Sequence, residues 1–223
     1  LKVLVFDLGG TLMEYTDMPY SWVDYYKFGF EAVAKQQNFI VTEQDIEKSI
    51  EILKNFNPRV NYREEEYSPE YIFSKALAHW QGDVSIIDSV KLFYDGLNLK
   101  VQIYPDVIPA LAKLRKMGYC IATLTDLPTA MPDNFFRNSI NKLLEYFDLY
   151  VSSLSCGFRK PNPKGLEFIA NHFNIPVTEL AFIGDEEKDK KTADNAGCKF
   201  ISINRKENQA ECISNLEQIF NRI

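Results

Sequence analysis

The stretch Val5–Leu12, VFDLGGTL, ends a short apolar run in Asp7 and then turns through Gly9, Gly10 and Thr11. A carboxylate at a strand end beside Gly-Gly-Thr can approach a phosphoryl group while backbone N–H groups of the turn donate to its oxygens, because glycine lets that backbone come close. What surrounds the stretch decides its meaning. Short, almost wholly apolar runs recur along the chain: KVLVF (2–6), YCIATLT (119–125), FDLYVS (147–152), LAFIG (180–184) and KFISI (199–203). Runs of this kind predict buried parallel strands. Between them DVIPALAKLRKMG, PKGLEFIANHFN and KDKKTADNAG have apolar faces at helical spacing, with Gly118 and Gly197 as stops. Strand alternating with helix predicts an α/β, doubly wound parallel sheet.

From about Tyr20 to Leu97 the strand signals vanish and four helical patterns follow one another. One starts at Ser21. The next starts at Thr42, with Asp45 three residues on as a relative of the capping box; a third has Pro69 at a favoured first helical position, and SIIDSVKLFYDGL completes the set. An all-helical insertion after the first strand is expected, with a core of residues 1–14 and 99–223 and an inserted domain over 15–98. Glu64, Glu65 and Glu66 read as a solvated loop or helix start.

Composition bounds the function. The chain of 223 residues is 46% apolar and 25% charged, ordinary for a globular protein. Of the net charge of −6, residues 14–98 hold 15 acidic against 8 basic groups, a balance of −7 that leaves +1 elsewhere. Nucleic-acid binding, which needs clustered Lys and Arg, is disfavoured. There is no transmembrane run, and VLVFDL is broken by Asp7 without a small-residue cleavage site, so a cytoplasmic monomer or homodimer with no membrane partner is expected. Cys120, Cys156, Cys198 and Cys212 are too widely spaced for a zinc site and are expected as free thiols.

Polar residues at the predicted strand ends then separate two readings of VFDLGGTL. Asp-x-Gly-Gly-Thr resembles the phosphate-binding hairpin of actin-like sugar kinases, but such a kinase would run from DLGGTL straight into another strand and would need two similar halves. Downstream the chain instead offers Thr125 after YCIATLT, Lys160 in FRKPNP, and Asp185 and Asp189 in GDEEKD, where doubly wound sheets place their ligands. This set, in this order over the whole chain, resembles the haloacid dehalogenase-like (HAD) hydrolases, and the helical insertion resembles their C1 cap. The resemblance implies Asp7 as a nucleophile that forms an aspartyl-phosphate. It implies Thr125 and Lys160 as catalytic partners of the phosphoryl oxygens, with Gly10, Thr11 and Asp126 lining the substrate. Asp7, the Gly9 carbonyl, Asp185 and Asp189 are implied as the Mg²⁺ site, Asp189 orienting Lys160 or a metal-bound water.

Gly9 departs from the family pattern, where a second aspartate protonates the leaving oxygen. One reading is a Mg²⁺-dependent phosphatase of a small phosphorylated metabolite, acting on leaving groups that depart as anions or borrowing an acid such as Glu14 or one from the GDEEKD loop. Another is metal-independent carbon chemistry like that of the 2-haloacid dehalogenases, or a phosphonatase-like reaction, which would rely on a Schiff-base lysine in the insertion. A third is a binding or regulatory protein on the same fold. Asp126, where relatives carry Asn, would repel a phosphate unless it turned away or paired with Lys160. The acidic insertion predicts a substrate with little charge beyond one phosphate, and MEYTDMPYSW (13–22) could wall its pocket with aromatic rings.

Overall fold

The computed structural model describes residues 2–17, 21–207 and 211–223. Its elements run β1 (Val3–Phe6), β2 (Met13–Thr16), α1 (Val23–Gln36), α2 (Glu43–Asn55), α3 (Pro69–Ala76), α4 (Ile86–Leu97), β3 (Lys100–Ile103), α5 (Val107–Lys116), β4 (Cys120–Thr123) and α6 (Asp133–Ser139). There follow α7 (Asn141–Leu144), α8 (Ser153–Cys156), α9 (Lys164–Phe173), β5 (Leu180–Gly184), α10 (Glu187–Ala196) and β6 (Lys199–Ser202). The main sheet has the order β4-β1-β5-β6, and every pair in it is parallel. Its strands read as unbroken apolar runs because both faces are covered. Val3 and Val5 face α9 and α10, whereas Leu4 and Phe6 face α5 and a core that continues into the insertion. The chain builds outward from β1 to β4, then returns across it to β5 and β6. The crevice at that reversal lies at the carboxyl ends of β1, β4 and β5.

FDLYVS departs from the continuous strand expected of it. It lies along the free edge of β4 through isolated parallel bridges, Ala122 to Leu149 and Thr125 to Ser152. Thr123 interrupts the ladder, its hydroxyl accepting from Val151 N at 3.0 Å, a place that a backbone carbonyl would otherwise fill.

The insertion contains the four expected helices. Thr42 and Asp45 form a reciprocal capping box at the start of α2, and Ser68 caps α3 just ahead of Pro69. Phe30, Phe73 and Phe93 are fully buried at its centre, with Phe93 ring centroids 5.0 and 5.2 Å from those of Phe30 and Phe73. Most of the insertion's aromatic residues are thus core. Tyr15 and Trp22 pack edge to face at 5.2 Å, while Met18, Pro19 and Tyr20 of the anticipated aromatic wall lie outside the described residues.

Two expectations need correction. DLGGTL does run directly into a strand, since β2 follows it and pairs antiparallel with β3 from Met13↔Ile103 to Thr16↔Lys100. This ribbon is separate from the main sheet, so the actin-like alternative falls on the parallel strand order and not on the lack of a following strand. Helices α6 and α7 also fill a stretch that carries no legible periodicity, because seven and four residues are too short to show one.

Helices α1 and α4 approach through Gly29, where an added Cβ would lie 2.4 Å from ring carbons of Phe93. In an open helix Gly→Ala stabilises by about 0.4–1 kcal/mol. Here Gly29→Ala is predicted to destabilise by about 1–3 kcal/mol through overpacking, read as a lower midpoint in urea unfolding. A raised midpoint would contradict this packing.

Candidate active site

Three strand ends and one loop bring the expected residues together. Asp7 follows β1, is 5% exposed, and its N–H donates to Ile183 O of β5 at 2.9 Å, which fixes the carboxylate between the two central strands. The next turn is knotted on Leu8 O, which accepts from the N–H groups of Thr11, Leu12 and Met13 at 3.2, 2.8 and 3.0 Å. Gly10 sits at φ +76°, where a Cβ would fall 2.2 Å from Asp185 Oδ2, so only glycine admits that carboxylate so close to the turn. Thr11 Oγ1 donates to Asp185 Oδ1 at 2.9 Å.

Lys160 lies at the centre. Its ammonium, 1% exposed, is 2.8 Å from Asp7 Oδ1 and 2.6 Å from Asp189 Oδ1. Asp189 also caps α10 by accepting from Glu186 N at 2.9 Å, so one carboxylate both starts the helix and holds the lysine. Thr125, 3% exposed, is set at the end of β4 by its N–H to Val151 O at 3.2 Å and its carbonyl accepting from Ser153 N at 2.8 Å.

Asp126 neither opposes a phosphate freely nor pairs with the Lys160 ammonium. It accepts from the Lys160 backbone N–H at 3.1 Å and sits 3.4 Å from Lys188 Nζ. Burial alone would raise its carboxyl, but Lys160, Lys188 and Arg159 outweigh that and hold it below the usual range. Gly9 leaves a gap, since a Cβ there would meet nothing within 4 Å. Glu14 is exposed and accepts from the Tyr104 hydroxyl at 3.2 Å. Cys156 is a half-buried thiol at the end of α8 pushed up by burial, and none of the four cysteines is in a disulfide.

The sequence reading missed a rim of charges. Lys188 bridges Asp126 and Glu186, and Glu186 is also 2.6 Å from Arg59 of the insertion. Burial would raise Glu186, but Lys188 and Arg59 hold it at about 2. Lys188 carried a signal in its place between Asp185 and Asp189. Arg59 carried none, because only the fold brings residue 59 to residue 186.

Residues 1–197 match the haloacid dehalogenase-like hydrolases. The chain belongs to that family. Among curated relatives it is 31% identical over 130 residues to a phosphoglycolate phosphatase of Vibrio vulnificus, covering 57% of this chain and 56% of that one. It is likewise 31% identical over 119 residues to a glyceraldehyde 3-phosphate phosphatase of Methanopyrus kandleri, covering 52% and 50%. The chain thus spans about half the length of the curated relatives it matches. Solved structures share the fold over nearly the whole chain. A HAD phosphatase from Thermococcus onnurineus aligns with a TM-score of 0.65 at 18% identity, over 100% of this chain and 97% of the other. A 2-haloacid dehalogenase from Pseudomonas syringae aligns at 0.69 and 20%, over 99% and 97%. Phosphatase and dehalogenase share the architecture equally, so chemistry must be argued from the site.

The charge at that site is unbalanced. Asp7, Asp185 and Asp189 each offer a carboxylate oxygen, all within 4.8 Å of one another, against the single buried ammonium of Lys160. Asp7 is pushed up to about 7 by burial and the neighbouring carboxylates, against the pull of Lys160 and Lys188. Asp185 is pushed up to about 6, again by burial first. Three hard oxygen donors with excess negative charge fit a Mg²⁺ ion, with Asp7 and Asp185 the better placed because Asp189 is already bound to Lys160 and the α10 N-terminus.

A carboxyl raised on folding binds its proton more tightly in the native state, so ionising it costs stability as pH rises. Without metal, the unfolding midpoint is predicted to fall between about pH 4 and pH 7, the window set by the raised groups. Mg²⁺ should restore it, and Asp7→Asn should flatten the slope. A metal-free midpoint that climbs across this window would contradict the charge imbalance.

Proposed function

We propose that the protein is a Mg²⁺-dependent phosphatase of a small phosphorylated metabolite, working through an aspartyl-phosphate on Asp7. The carboxylate cluster carries this reading: displacement at carbon by Asp7 needs neither Asp185 nor a surplus of negative charge, whereas a phosphoryl dianion needs a cation between itself and these groups. The bound metal would supply that charge and lower the Asp7 carboxyl into its ionised form. Relatives named as phosphatases of phosphoglycolate and glyceraldehyde 3-phosphate support the substrate class.

Each residue then has a role. Asp7 attacks phosphorus as the bond to the leaving oxygen breaks, and water later cleaves the aspartyl-phosphate to release inorganic phosphate. Lys160 neutralises the equatorial oxygens, its ammonium locked by Asp189, and the Thr125 hydroxyl donates to them. Gly10 and Thr11 line the substrate through the tight turn itself, their N–H groups being given to Met13 O and Leu8 O, and Asp126 holds the Lys160 backbone at the pocket wall. The Gly9 carbonyl would be a further protein ligand to the metal beside Asp7 and Asp185. Residues 15–98 act as a cap over a core of 1–14 and 99–223.

Among the described residues, the acids expected as substitutes for the missing aspartate are otherwise engaged. Glu186 and Asp126 are held ionised by their cations, and Glu14 is engaged by Tyr104 at the surface. The leaving group must therefore depart as an anion of low basicity. With Mg²⁺, hydrolysis is predicted to fall steeply from acetyl phosphate to an aryl phosphate to sugar phosphates, and Asp7→Asn to abolish all of it. Turnover untouched in that variant would overturn the reading, as would halide release from 2-chloropropionate without Mg²⁺.

The space beside Gly9 yields a complementary prediction. The Cβ of Gly9→Asp would meet no neighbour within 4 Å, and the variant should raise kcat on alkyl phosphates by about 10²–10⁴, the usual worth of general acid–base catalysis. Unchanged alkyl phosphate turnover in a folded variant would show that the missing acid is not what limits it.

A further inference from the structure

Glu64-Glu65-Glu66, read as solvated from the sequence, is instead the place where the insertion grips the core. The loop between α2 and α3 lies on residues 157–162: Glu65 and Phe158 form an antiparallel bridge, Glu66 N donates to Gly157 O at 3.0 Å, and Arg159 N donates to Glu64 O at 2.7 Å. Asn162 Nδ2 adds a bond to Glu64 Oε2 at 3.0 Å. The Glu66 side chain is 5% exposed. It accepts from Arg63 Nη1 at 2.8 Å, from Ser153 Oγ at 2.7 Å and from the Arg159 guanidinium.

Both core partners of Glu66 hold the same backbone unit. Arg159 Nη2 donates to Leu127 O at 2.9 Å, and Ser153 Oγ accepts from Leu127 N at 3.0 Å. Leu127 follows Thr125 by two residues, and Arg159 directly precedes Lys160. The Lys160 N–H to Asp126 Oδ1 then completes a ring of bonds running Glu66, Arg159, Lys160, Asp126, Leu127, Ser153 and back to Glu66. The Arg159 side chain is 7% exposed, and a guanidinium so buried is stable only against a counter-charge. Without Glu66 it would turn toward water and draw its chain neighbour Lys160 with it.

We infer that Glu66 is a positioning residue through which docking of the helical insertion sets the geometry of Thr125 and Lys160, so that the core's catalytic loops are complete only when this loop of the insertion is seated. The inference rests on the phosphatase reading for its catalytic consequence and on the bond ring alone for its structural one.

Glu66→Gln keeps the shape and the bond to Ser153 but removes the charge. With acetyl phosphate and Mg²⁺ on the full chain, kcat per folded molecule falls by about 10²-fold with little change in KM, the scale expected for ångström misplacement of catalytic groups. Amide exchange at Leu127 and Lys160 quickens in the same variant, while that of Leu53 and Phe93 in the insertion does not. The pair Glu66→Gln/Arg159→Met removes the unmatched buried charge at Arg159, leaving only that of the less buried Arg63, and regains part of the lost thermal stability without regaining kcat. Wild-type kcat in Glu66→Gln, recovery of kcat along with stability in the pair, or unchanged exchange at Leu127 and Lys160 would each overturn the inference. Should the wild type fail to hydrolyse acetyl phosphate, the phosphatase reading fails instead, and the exchange comparison by itself decides whether Glu66 orders the two loops.

Discussion

The ammonium of Lys160, buried to 1% exposure between Asp7 and Asp189, is the interaction on which the rest of the structure depends. A charge withdrawn this far from water is stable only if its partners are fixed within contact distance. Asp7 must therefore follow β1, Asp189 must open α10, and the loop that carries Lys160 must lie across both. The parallel sheet supplies that convergence, because β1 and β5 end side by side and Asp7 N is tied to Ile183 O. One lysine cannot neutralise three carboxylates. What remains is a site with surplus negative charge, which is the observation behind the proposed Mg²⁺-dependent phosphatase.

How much of this was legible follows from the range of each signal. Asp7, Thr125 and Asp185 were readable because strand ends mark themselves, an apolar run stopping and a polar residue following, whereas Lys160 in a loop and Asp189 in α10 were readable only through their order in the motifs of the family the chain resembles. Helices of ten or more residues declared themselves by periodicity and caps, as Thr42 with Asp45 illustrates. Signals failed where a contact joins residues far apart. Glu66 reads as one of three solvated glutamates, and only its meeting with Arg159 makes it a buried anion. Arg59 at Glu186 is similar. The β2–β3 ribbon was hidden because each strand has four residues and its partner lies across the whole insertion. Asp126 looked like a liability from its neighbours in sequence. In space its charge is spent on Lys188 and on the backbone of Lys160.

Gly9 acquires a sharper meaning in this setting. The acids near the site do not share its task, since the Lys188 and Arg59 cations hold Glu186 ionised and Lys160 and Lys188 do the same to Asp126. In the proposed reaction the site would stabilise charge on the phosphoryl oxygens, while none of these described acids would be free to protonate what leaves. The carboxylates and Lys160 stay assembled, while position 9 carries no acid although a Cβ there would meet nothing within 4 Å. Selectivity by leaving-group basicity is then a physical consequence of one missing carboxyl.

The covalent step at Asp7 is the centre of this account, and trapping it is the most direct test. The protein would be mixed with acetyl phosphate and Mg²⁺, quenched in acid within the first turnover, and its peptides examined by mass spectrometry. The account predicts a phosphoryl group on the peptide that contains Asp7, labile to hydroxylamine as an acyl phosphate is. Release of inorganic phosphate with no label on that peptide, or with label on another residue, would contradict it.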